Sequence, residues 1–432
     1  MLNAREVAFF ILKDVSFGQS YADIALSRGI DKSQLSQQDR ALATELVYGV
    51  LRRQRTLDAL IDQFAKKKAH QQPNDILLAL RLGIYQLRYM DAIPNSAAVN
   101  TSVDLMKKSK YSKELSGVVN AILRKISINQ DEDPLNLPND NEMIARLGIF
   151  YSFPDWIIEF FLQQFDLDET QQLCSWFNQV PSLDIRINPL KNSRIEVQKL
   201  LEQEGIGSKI LSKTQQGLRL QGSHGSIVKL PGYCQGLWSV QDASAQQVVH
   251  FLDPQPGEVI IDACAAPGGK STHIAELIKD QGEVWAIDRI ASRLKKLSDN
   301  AERLGLDRIK IVQGDNRQMS HFENSCDRLL LDVPCSGLGT LHRNLDLRWR
   351  LNQERIEQLF ILQQQILSAC QKWVKPQGIL VYSTCTLNPK ENEHMIESFL
   401  QENSDYSLLE SLKLYPQRDD RDGFYMVKLQ KK

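Results

Sequence analysis

Two cysteines stand where covalent chemistry is possible. Cys335 belongs to the stretch Asp332-Val-Pro-Cys, and Cys385 belongs to the stretch Ser383-Thr-Cys. Each stretch directly follows a short apolar run that predicts a buried strand, and parallel strands end at one edge of a sheet. A lone free cysteine is usually a small buried apolar residue. Two cysteines at neighbouring strand ends favour a chemical role.

A pair of thiols beside a carboxyl group suits methylation of carbon 5 of cytosine. That carbon is a poor nucleophile, but addition of a thiolate to carbon 6 breaks the aromaticity of the ring and lets carbon 5 attack a sulfonium methyl group. Asp332 is the candidate for stabilising the adduct through ring N3 or the exocyclic amine. The other thiol can assist release of the product. Spacing alone leaves open whether Cys335 or Cys385 is the nucleophile.

Acidic residues at three further strand ends indicate a bound nucleoside. Asp262 follows the first predicted strand, Asp288 follows the second with Arg293 close behind it, and Asp315 follows the third. Asp288 is placed to accept hydrogen bonds from ribose hydroxyls, and Asp315 from an adenine amino group. Three acids in succession favour a nucleoside site over unrelated loop-stabilising residues.

The loop after the first strand narrows the choice of ligand. Gly268 and Gly269 let the backbone approach a ligand closely, and the helix that follows offers free N–H groups. A phosphate-binding loop would need glycine at position 264, where Cys264 stands, and the G-x-G-x-x-G pattern of dinucleotide sites is absent. The predicted cofactor is therefore S-adenosylmethionine, a nucleoside without phosphates.

The elements that position these residues form the last part of the chain. From residue 239 onward, short apolar runs alternate with helical patterns, which predicts a doubly wound, Rossmann-like α/β domain over residues 237–432. The predicted strands are Val259–Ile261, Glu283–Ile287, Ile309–Val312, Arg328–Leu331 and Gly378–Tyr382.

Linker helices and a small α+β subdomain of the RRM or ferredoxin-like type are predicted before it, within residues 131–236. Alternating apolar residues over 183–187 predict a half-buried strand, and Ser193-Arg-Ile-Glu predicts a capped helix that ends near Gly205. Further short strands are predicted around Leu218–Leu220 and Ile227–Leu230. A nucleic-acid-binding subdomain and a structural spacer both fit this unit.

The first 130 residues predict an all-α bundle. Apolar stripes at helical spacing run through residues 3–126, and Ser36-Gln-Gln-Asp resembles a helix N-cap. Residues 1–130 hold 19 Lys and Arg against 12 Asp and Glu, whereas the remainder holds 33 against 41. Such a basic module could steer a polyanion to an enzyme, or it could be an ordinary solvated surface. The acidic, Pro- and Asn-rich stretch 131–142 marks its boundary.

Composition excludes several classes of protein. No apolar run approaches the roughly 20 residues that span a bilayer, so a cytoplasmic location without membrane partners is expected. The 7 cysteines are widely spread and contain no C-x-x-C pair, which argues against a disulfide framework and against a zinc site, and no metal is expected.

Three motifs together resemble one enzyme family. Asp262–Lys270, Asp332–Cys335 and Ser383–Cys385 closely resemble the RNA cytosine-5 methyltransferases of the Nol1/Nop2/Sun family, over roughly residues 183–432. Asp422–Tyr425 matches the closing strand of that family. The order of the front helices, including Val119-Asn-Ala-Ile-Leu-Arg, is similar to the NusB family of RNA-binding helical domains.

The resemblance implies specific roles and a substrate. It implies that Cys385 is the nucleophile, that Cys335 helps to release the product and that Asp332 stabilises the cytosine adduct. With the NusB-like front half it implies 16S ribosomal RNA, unassembled or partly assembled, as the substrate. A monomer is expected, and the alternative function is a NusB-like assembly factor with an inactive methyltransferase half. The predicted cofactor-binding residues are Cys264, Ala265, Ala266, Pro267, Gly268, Gly269, Lys270, Asp288, Arg293, Asp315 and Asp332.

Three basic residues lie shortly after the Pro-Cys stretch. His342, Arg343 and Arg348 could meet phosphates of the RNA, or they could form a polar surface loop. The sequence does not separate these two interpretations.

Overall fold

A computed structural model describes residues 2–18, 20–106, 115–128, 135–222 and 224–432. The chain divides into two compact units, Met1–Gln179 with Leu341–Arg350, and Val180–Thr340 with Leu351–Lys432. The helices of the described residues are α1 (Ala4–Phe17), α2 (Ala22–Asp31), α3 (Gln37–Phe64), α4 (Asn74–Tyr89), α5 (Asn95–Met106), α6 (Ser116–Ile128), α7 (Met143–Tyr151), α8 (Asp155–Leu162), α9 (Leu167–Phe177), α10 (Arg194–Gln203), α11 (Ala243–Leu252), α12 (Gly269–Leu277), α13 (Ala291–Leu304), α14 (Leu347–Arg350), α15 (Gln353–Cys370), α16 (Glu393–Glu402) and α17 (Pro416–Asp419). The strands are β1 (Leu183–Ile187), β2 (Ser208–Ile210), β3 (Gly217–Leu220), β4 (Trp238–Val240), β5 (Val259–Asp262), β6 (Glu283–Asp288), β7 (Ile309–Gln313), β8 (Cys326–Asp332), β9 (Val374–Thr384), β10 (Tyr406–Leu414) and β11 (Phe424–Lys431).

The first unit is a helical bundle whose helices begin where their sequences predict. Ser36 caps α3, because its side chain accepts a hydrogen bond from the backbone N–H of Asp39 at 3.1 Å. Asn3 and Glu6 form a reciprocal capping box at the start of α1. Apolar residues of α1, α3 and α4 at helical spacing are buried in one core. The predicted all-α bundle is confirmed.

A short segment from much later in the chain completes this core. Leu341–Arg350 belongs to the first unit, and its Leu345 is buried among the apolar side chains of the bundle. Arg348 is fully buried, and its guanidinium donates to the carbonyl of Phe177 at 2.6 Å and to Oδ1 of Asn178 at 2.9 Å. This arginine therefore satisfies backbone and amide oxygens of the bundle.

This burial corrects one hypothesis from the sequence. Arg348 cannot meet RNA phosphates, since its donors are engaged inside the bundle, and His342 is buried as well, with 2% of its surface exposed. Neither residue forms part of a polar surface loop either. For Arg343 the phosphate contact stays a prediction. The sequence could not reveal the buried site because Phe177 lies 171 positions before Arg348.

Replacing Arg348 by alanine is expected to destabilise the first unit. The change leaves oxygens of Phe177 and Asn178 without a donor and opens a cavity, which together cost roughly 3 kcal/mol or more. Urea unfolding with amide hydrogen exchange measures this effect, and protection should be lost first in the helical bundle. Arg40→Ala, at an exposed position of the same unit, is the matched control. Equal stability of the two variants would contradict the expectation.

The second unit begins with a small antiparallel sheet in the order β2-β3-β1-β4. Strands β1 and β3 and helix α10 lie where the sequence predicts them, and Ser193 and Glu196 form the predicted capping box. The run Ile227–Leu230 is not a strand, so that prediction is wrong. It contains a short 3-10 helix, Ile227–Lys229, because the N–H of Lys229 bonds locally to the carbonyl of Ser226 at 2.9 Å. Strands β2 and β4 supply the remaining pairings of an α+β, ferredoxin-like subdomain.

The position of β4 bears on the predicted domain boundary between residues 236 and 237. Trp238 on β4 pairs with Ile187 on β1, so this strand belongs to the small sheet although it lies beyond the predicted boundary. The three domain ranges stay predictions.

The rest of the second unit is a seven-stranded sheet in the order β10-β11-β9-β8-β5-β6-β7. Strands β5 to β9 are parallel, and β11 is antiparallel to β9. Successive strand residues enter two different apolar clusters, one with α11 and α12 and the other with α15 and α16, so the sheet is covered on both faces. The predicted Rossmann-like domain is confirmed. None of the helices in the described residues is long and apolar enough to cross a membrane.

Candidate active site

The register of β8 and β9 brings the two cysteines together. Asp332, at the end of β8, pairs with Ser383 near the end of β9, and each strand continues directly into a cysteine-bearing loop. The sulfur atoms of Cys335 and Cys385 lie 3.4 Å apart. Both residues are partly exposed and free of disulfides. The structure thus places the pair at the carboxyl edge of the sheet, where the sequence predicts it.

The two thiols share a hydrogen bond, and this affects the ionisation of Cys335. The interaction with the sulfur of Cys385, followed by burial, raises the pKa of the Cys335 thiol well above its usual range. Cys335 therefore keeps its proton near neutral pH. A protonated Cys335 can act as the donor toward Cys385, so the two sulfurs are chemically distinct even though both occupy strand ends.

Asp332 is held by two side chains at the same edge. Its Oδ2 accepts from Nζ of Lys270 at 2.6 Å, and its Oδ1 accepts from the hydroxyl of Ser383 at 2.9 Å. Burial lowers the pKa of Lys270, but the attraction and hydrogen bond of Asp332 outweigh burial and raise it, so the amine stays charged. Sequence reasoning assigned Lys270 only to the cofactor loop and missed this ion pair.

The loop between β5 and α12 begins from a buried carboxyl group. Asp262 accepts a hydrogen bond from the hydroxyl of Ser271 at 2.7 Å. Burial raises the pKa of Asp262 to about 7, against the opposing effect of that hydrogen bond. Gly268 has φ +104°, and a Cβ there would lie 2.5 Å from Cγ of Leu297. Glycine is therefore required at this turn by both conformation and space.

Asp288 and Arg293 hold the same loop from the end of β6. Oδ2 of Asp288 accepts from the backbone N–H of Ala266 at 3.3 Å, and Oδ1 accepts from the N–H of Ile290 at 2.8 Å. Arg293 donates to the carbonyl of Ala266 at 2.5 Å and lies 3.8 Å from the Asp288 carboxylate. These contacts shape the predicted cofactor loop and leave roughly half of the acceptor sites of Asp288 unused.

Beyond β7, Asp315 accepts two side-chain hydrogen bonds from Arg317, at 2.8 Å and 2.5 Å. The bonds to Arg317 lower the pKa of Asp315, so its carboxylate is charged at neutral pH. Next to it, Asn316 donates to the carbonyl of Ala263 at 2.8 Å. Sequence reasoning missed Arg317 and Asn316, although their positions beside a strand-end acid were a usable signal.

An arginine of the small sheet contacts both ends of α12. Arg186 on β1 donates to both carboxylate oxygens of Glu276, each at 2.8 Å, and both side chains are fully buried. A third donor of Arg186 reaches the carbonyl of Gly269 at 2.7 Å. Alternation along β1 predicted Arg186 on a polar face and gave no sign of this partner. The small sheet thus contacts the cofactor loop directly.

The described residues also bear on metal binding. Throughout residues 2–18, 20–106, 115–128, 135–222 and 224–432, no group of three or more His, Cys, Asp or Glu side chains is arranged to hold a metal ion.

Family models match three successive parts of the chain. The model described as 16S rRNA methyltransferase RsmB/F matches residues 249–430, the NusB family model matches residues 2–127, and a ferredoxin-like domain model of RsmF/B-like methyltransferases matches residues 153–225. A "Probable ribosomal RNA small subunit methyltransferase B" of Synechocystis is 49% identical, with 100% of each chain covered. The chain belongs to the RsmB family of ribosomal RNA small subunit methyltransferases.

Another RsmB relative and one solved structure extend the match over the whole length. The "Ribosomal RNA small subunit methyltransferase B" of Erwinia tasmaniensis is 35% identical, covering 100% of this chain and 99% of its own. The crystal structure of PH0851 superposes with a TM-score of 0.83 and 26% identity, covering 100% of this chain and 99% of that one. The RsmB architecture of helical, ferredoxin-like and methyltransferase parts is thus shared from end to end.

A further similarity concerns a part of the chain. A methyltransferase homologue from Pyrococcus horikoshii matches with a TM-score of 0.61 and 27% identity, covering 67% of this chain and 99% of its own. Because that protein is almost fully covered by two thirds of this chain, its fold corresponds to a part of the RsmB architecture.

Proposed function

We propose that this protein is an S-adenosylmethionine-dependent methyltransferase that forms 5-methylcytosine in 16S ribosomal RNA. The observation that carries the proposal is the pair of free thiols, with sulfurs 3.4 Å apart, beside the Lys270–Asp332 ion pair. Methylation of an RNA adenine or ribose needs no such pair of thiols, whereas cytosine carbon 5 needs a covalent nucleophile. The names of the relatives supply the ribosomal RNA substrate.

The residues at the ends of β5, β6 and β7 fit S-adenosylmethionine. Asp288 has acceptor capacity left for ribose hydroxyls, and Asp315 is a charged acceptor near the place expected for the adenine amino group. A Cβ on Gly269 would make only ordinary van der Waals contact with the side chain of Gln241, at 3.6 Å. Residues 264–270 with Arg293 and Asp332 complete the proposed site. When bound, this cofactor supplies a methyl group on a positively charged sulfur.

The chain's own residues then divide the work of the reaction. The thiolate of Cys385 adds to carbon 6 of cytosine, so a sulfur–carbon bond forms and the electrons of the carbon 5–carbon 6 double bond become available for methylation. Asp332 orients the base by accepting a hydrogen bond from its exocyclic amine, or by holding a proton shared with ring N3. After carbon 5 has taken the methyl group, its proton passes to solvent, the electrons of the carbon–hydrogen bond restore the carbon 5–carbon 6 double bond, and the bond from carbon 6 to the sulfur of Cys385 breaks. The protonated Cys335 assists this release by donating a hydrogen bond to the departing thiolate.

We further propose that the protein acts in the cytoplasm, where ribosomes are assembled. It would act as a monomer that binds RNA. The NusB-like residues 2–127 and the ferredoxin-like subdomain are the proposed RNA-binding parts. The excess of basic residues over 1–130 supports the first of these assignments.

Bisulfite sequencing of 16S ribosomal RNA tests the proposal directly. Cells that lack the gene should lose resistance to conversion at one or more cytosines, and the purified protein with S-adenosylmethionine should restore it on RNA from those cells. An unchanged cytosine pattern, together with no binding of S-adenosylmethionine by isothermal titration calorimetry, would favour the inactive assembly factor instead.

A further inference from the structure

A buried carboxylate lies beneath the two cysteine-bearing loops. Glu391 ends a short 3-10 turn, Pro389–Glu391, and none of its surface is exposed. It has no ion-pair partner among the described residues. A buried charge without a cation is costly unless hydrogen bonds replace the lost water. Hydrogen-bond donors must therefore stabilise the charge of Glu391.

Four donors surround this carboxylate. Oε1 accepts from the backbone N–H of Ser336 at 2.9 Å and from the side-chain amide of Gln363 at 2.9 Å. Oε2 accepts from the hydroxyl of Ser336 and from the side-chain amide of Asn388, the latter at 3.0 Å. An ionised carboxylate has about four acceptor sites, so all of them are used. Charge-assisted bonds of this kind are stronger than neutral ones.

These contacts join the loop of one cysteine to the loop of the other. Ser336 directly follows Cys335, Thr386 directly follows Cys385, and the two hydroxyls lie 2.7 Å apart. The same amide of Gln363 that contacts Glu391 also donates to the carbonyl of Pro334, at 2.9 Å. The residue before Cys335 and the residue after it are thus both fixed through the network of Glu391.

The next residue holds the other loop. Asn392 donates to the carbonyl of Thr386 at 3.0 Å and accepts from the hydroxyl of Thr384 at 2.6 Å. These bonds fix the residues on either side of Cys385. Glu391 and Asn392 therefore clamp one loop each, and the short turn before α16 ties the two clamps together.

We propose that Glu391 is a positioning residue that holds the two cysteine loops in register, so that the thiols meet, and that its charge opposes ionisation of Cys335. This inference rests on the proposed roles of the two cysteines. In the reaction, the negative charge of Glu391 would keep Cys335 as a neutral donor while Cys385 attacks the base. A carboxylate is suited to this task because only a charged acceptor combines four hydrogen bonds with a field at the sulfur.

The surroundings of the pair are consistent with that electrostatic role. The pKa of Cys335 is raised first by its bond to Cys385, then by burial, and also by the charge of Glu391. In the described part of the chain, the charges of Tyr382 on β9 and Lys270 on α12 also interact with the pair. Glu391, in addition, accepts hydrogen bonds from Ser336, the residue that directly follows Cys335.

The test compares Glu391→Gln with Glu397→Gln, which removes an equal charge from an exposed position on α16. Alkylation of Cys335 by iodoacetamide, followed by mass spectrometry across pH, reports its ionisation without RNA or cofactor. In Glu391→Gln the midpoint for Cys335 should move to lower pH, and kcat for RNA methylation should fall by about tenfold or more with KM little changed. Glu397→Gln should match the unaltered protein in both measurements.

A second variant covers the case in which Glu391→Gln fails to fold. Ser336→Ala removes one hydroxyl from the network and leaves the charge in place, so kcat should fall while the alkylation midpoint of Cys335 stays unchanged. Unaltered kcat and midpoint in Glu391→Gln, or unaltered kcat in Ser336→Ala, would overturn the inference. If the unaltered protein methylates no RNA, the proposed function fails, and the alkylation comparison still decides whether the charge of Glu391 acts on Cys335.

Discussion

Replacement of Cys385 by alanine is expected to abolish methyl transfer, with a loss of roughly 10⁴-fold or more in kcat, as is usual when a covalent nucleophile is removed. Without the sulfur, carbon 5 of cytosine keeps its aromatic character and cannot attack the methyl group. Single-turnover assays with a radiolabelled methyl donor and 16S ribosomal RNA measure the effect. Binding of the donor should persist, because none of the proposed contacts to it comes from Cys385.

A control variant separates this effect from general sensitivity to cysteine loss. Cys234 is an exposed free cysteine of the same unit, and Cys234→Ala should retain full activity. Methylation at carbon 5 by the Cys385→Ala protein would rule out a covalent role for this residue. Transfer that persists to adenine or ribose would indicate a different kind of RNA methyltransferase.

Replacement of Cys335 by alanine is expected to trap the enzyme on its substrate. Cys385 can still add to the base and carbon 5 can still be methylated, but the step that breaks the sulfur–carbon bond loses the neighbouring thiol, which lies 3.4 Å away. A covalent protein–RNA complex should therefore accumulate. It appears as a slowly migrating band on a denaturing gel, and it should contain the transferred methyl group.

The comparison of the two single variants decides which cysteine forms the bond, and the double variant shows whether the band from Cys335→Ala depends on Cys385. If Cys385 forms the bond, a protein that lacks both cysteines should give no band. A band from Cys385→Ala and none from Cys335→Ala would reverse the two roles. The register of β8 and β9 cannot make this distinction, since it places both sulfurs at one edge of the sheet.

The parts of the fold that the sequence predicts are those governed by local signals. Apolar runs, strand-end acids and capping residues such as Ser36 and Ser193 each act over a few positions, and the structure has them as expected. The carboxyl ends of parallel strands meet at one edge of a sheet by topology alone, so the sequence was sufficient to predict that the two cysteines lie close together. The roles of the individual site residues stay predictions.

The parts that sequence reasoning missed depend on distant partners. Arg186 pairs with Glu276, which lies 90 positions later, and Lys270 pairs with Asp332, which lies 62 positions later. The predicted strand over Ile227–Leu230 was wrong for a different reason. Four apolar and basic residues form a local turn as readily as a short strand. Buried polar pairs leave no periodic pattern, so three-dimensional contacts are needed to find them.

The segment Leu341–Arg350 has a consequence for how the protein is made. The continuous part of the helical bundle ends at residue 179, yet its core includes Leu345, and the carbonyl oxygen of Phe177 accepts a hydrogen bond from Arg348. At roughly 5 to 20 residues per second, a ribosome needs about 10 to 30 seconds to travel from residue 179 to residue 350. During that time the emerging bundle lacks a piece of its interior. The bundle is thus expected to mature only after strands β5 to β8 of the methyltransferase sheet have left the ribosome, so that binding to RNA is delayed until the loop of Cys335 has been made.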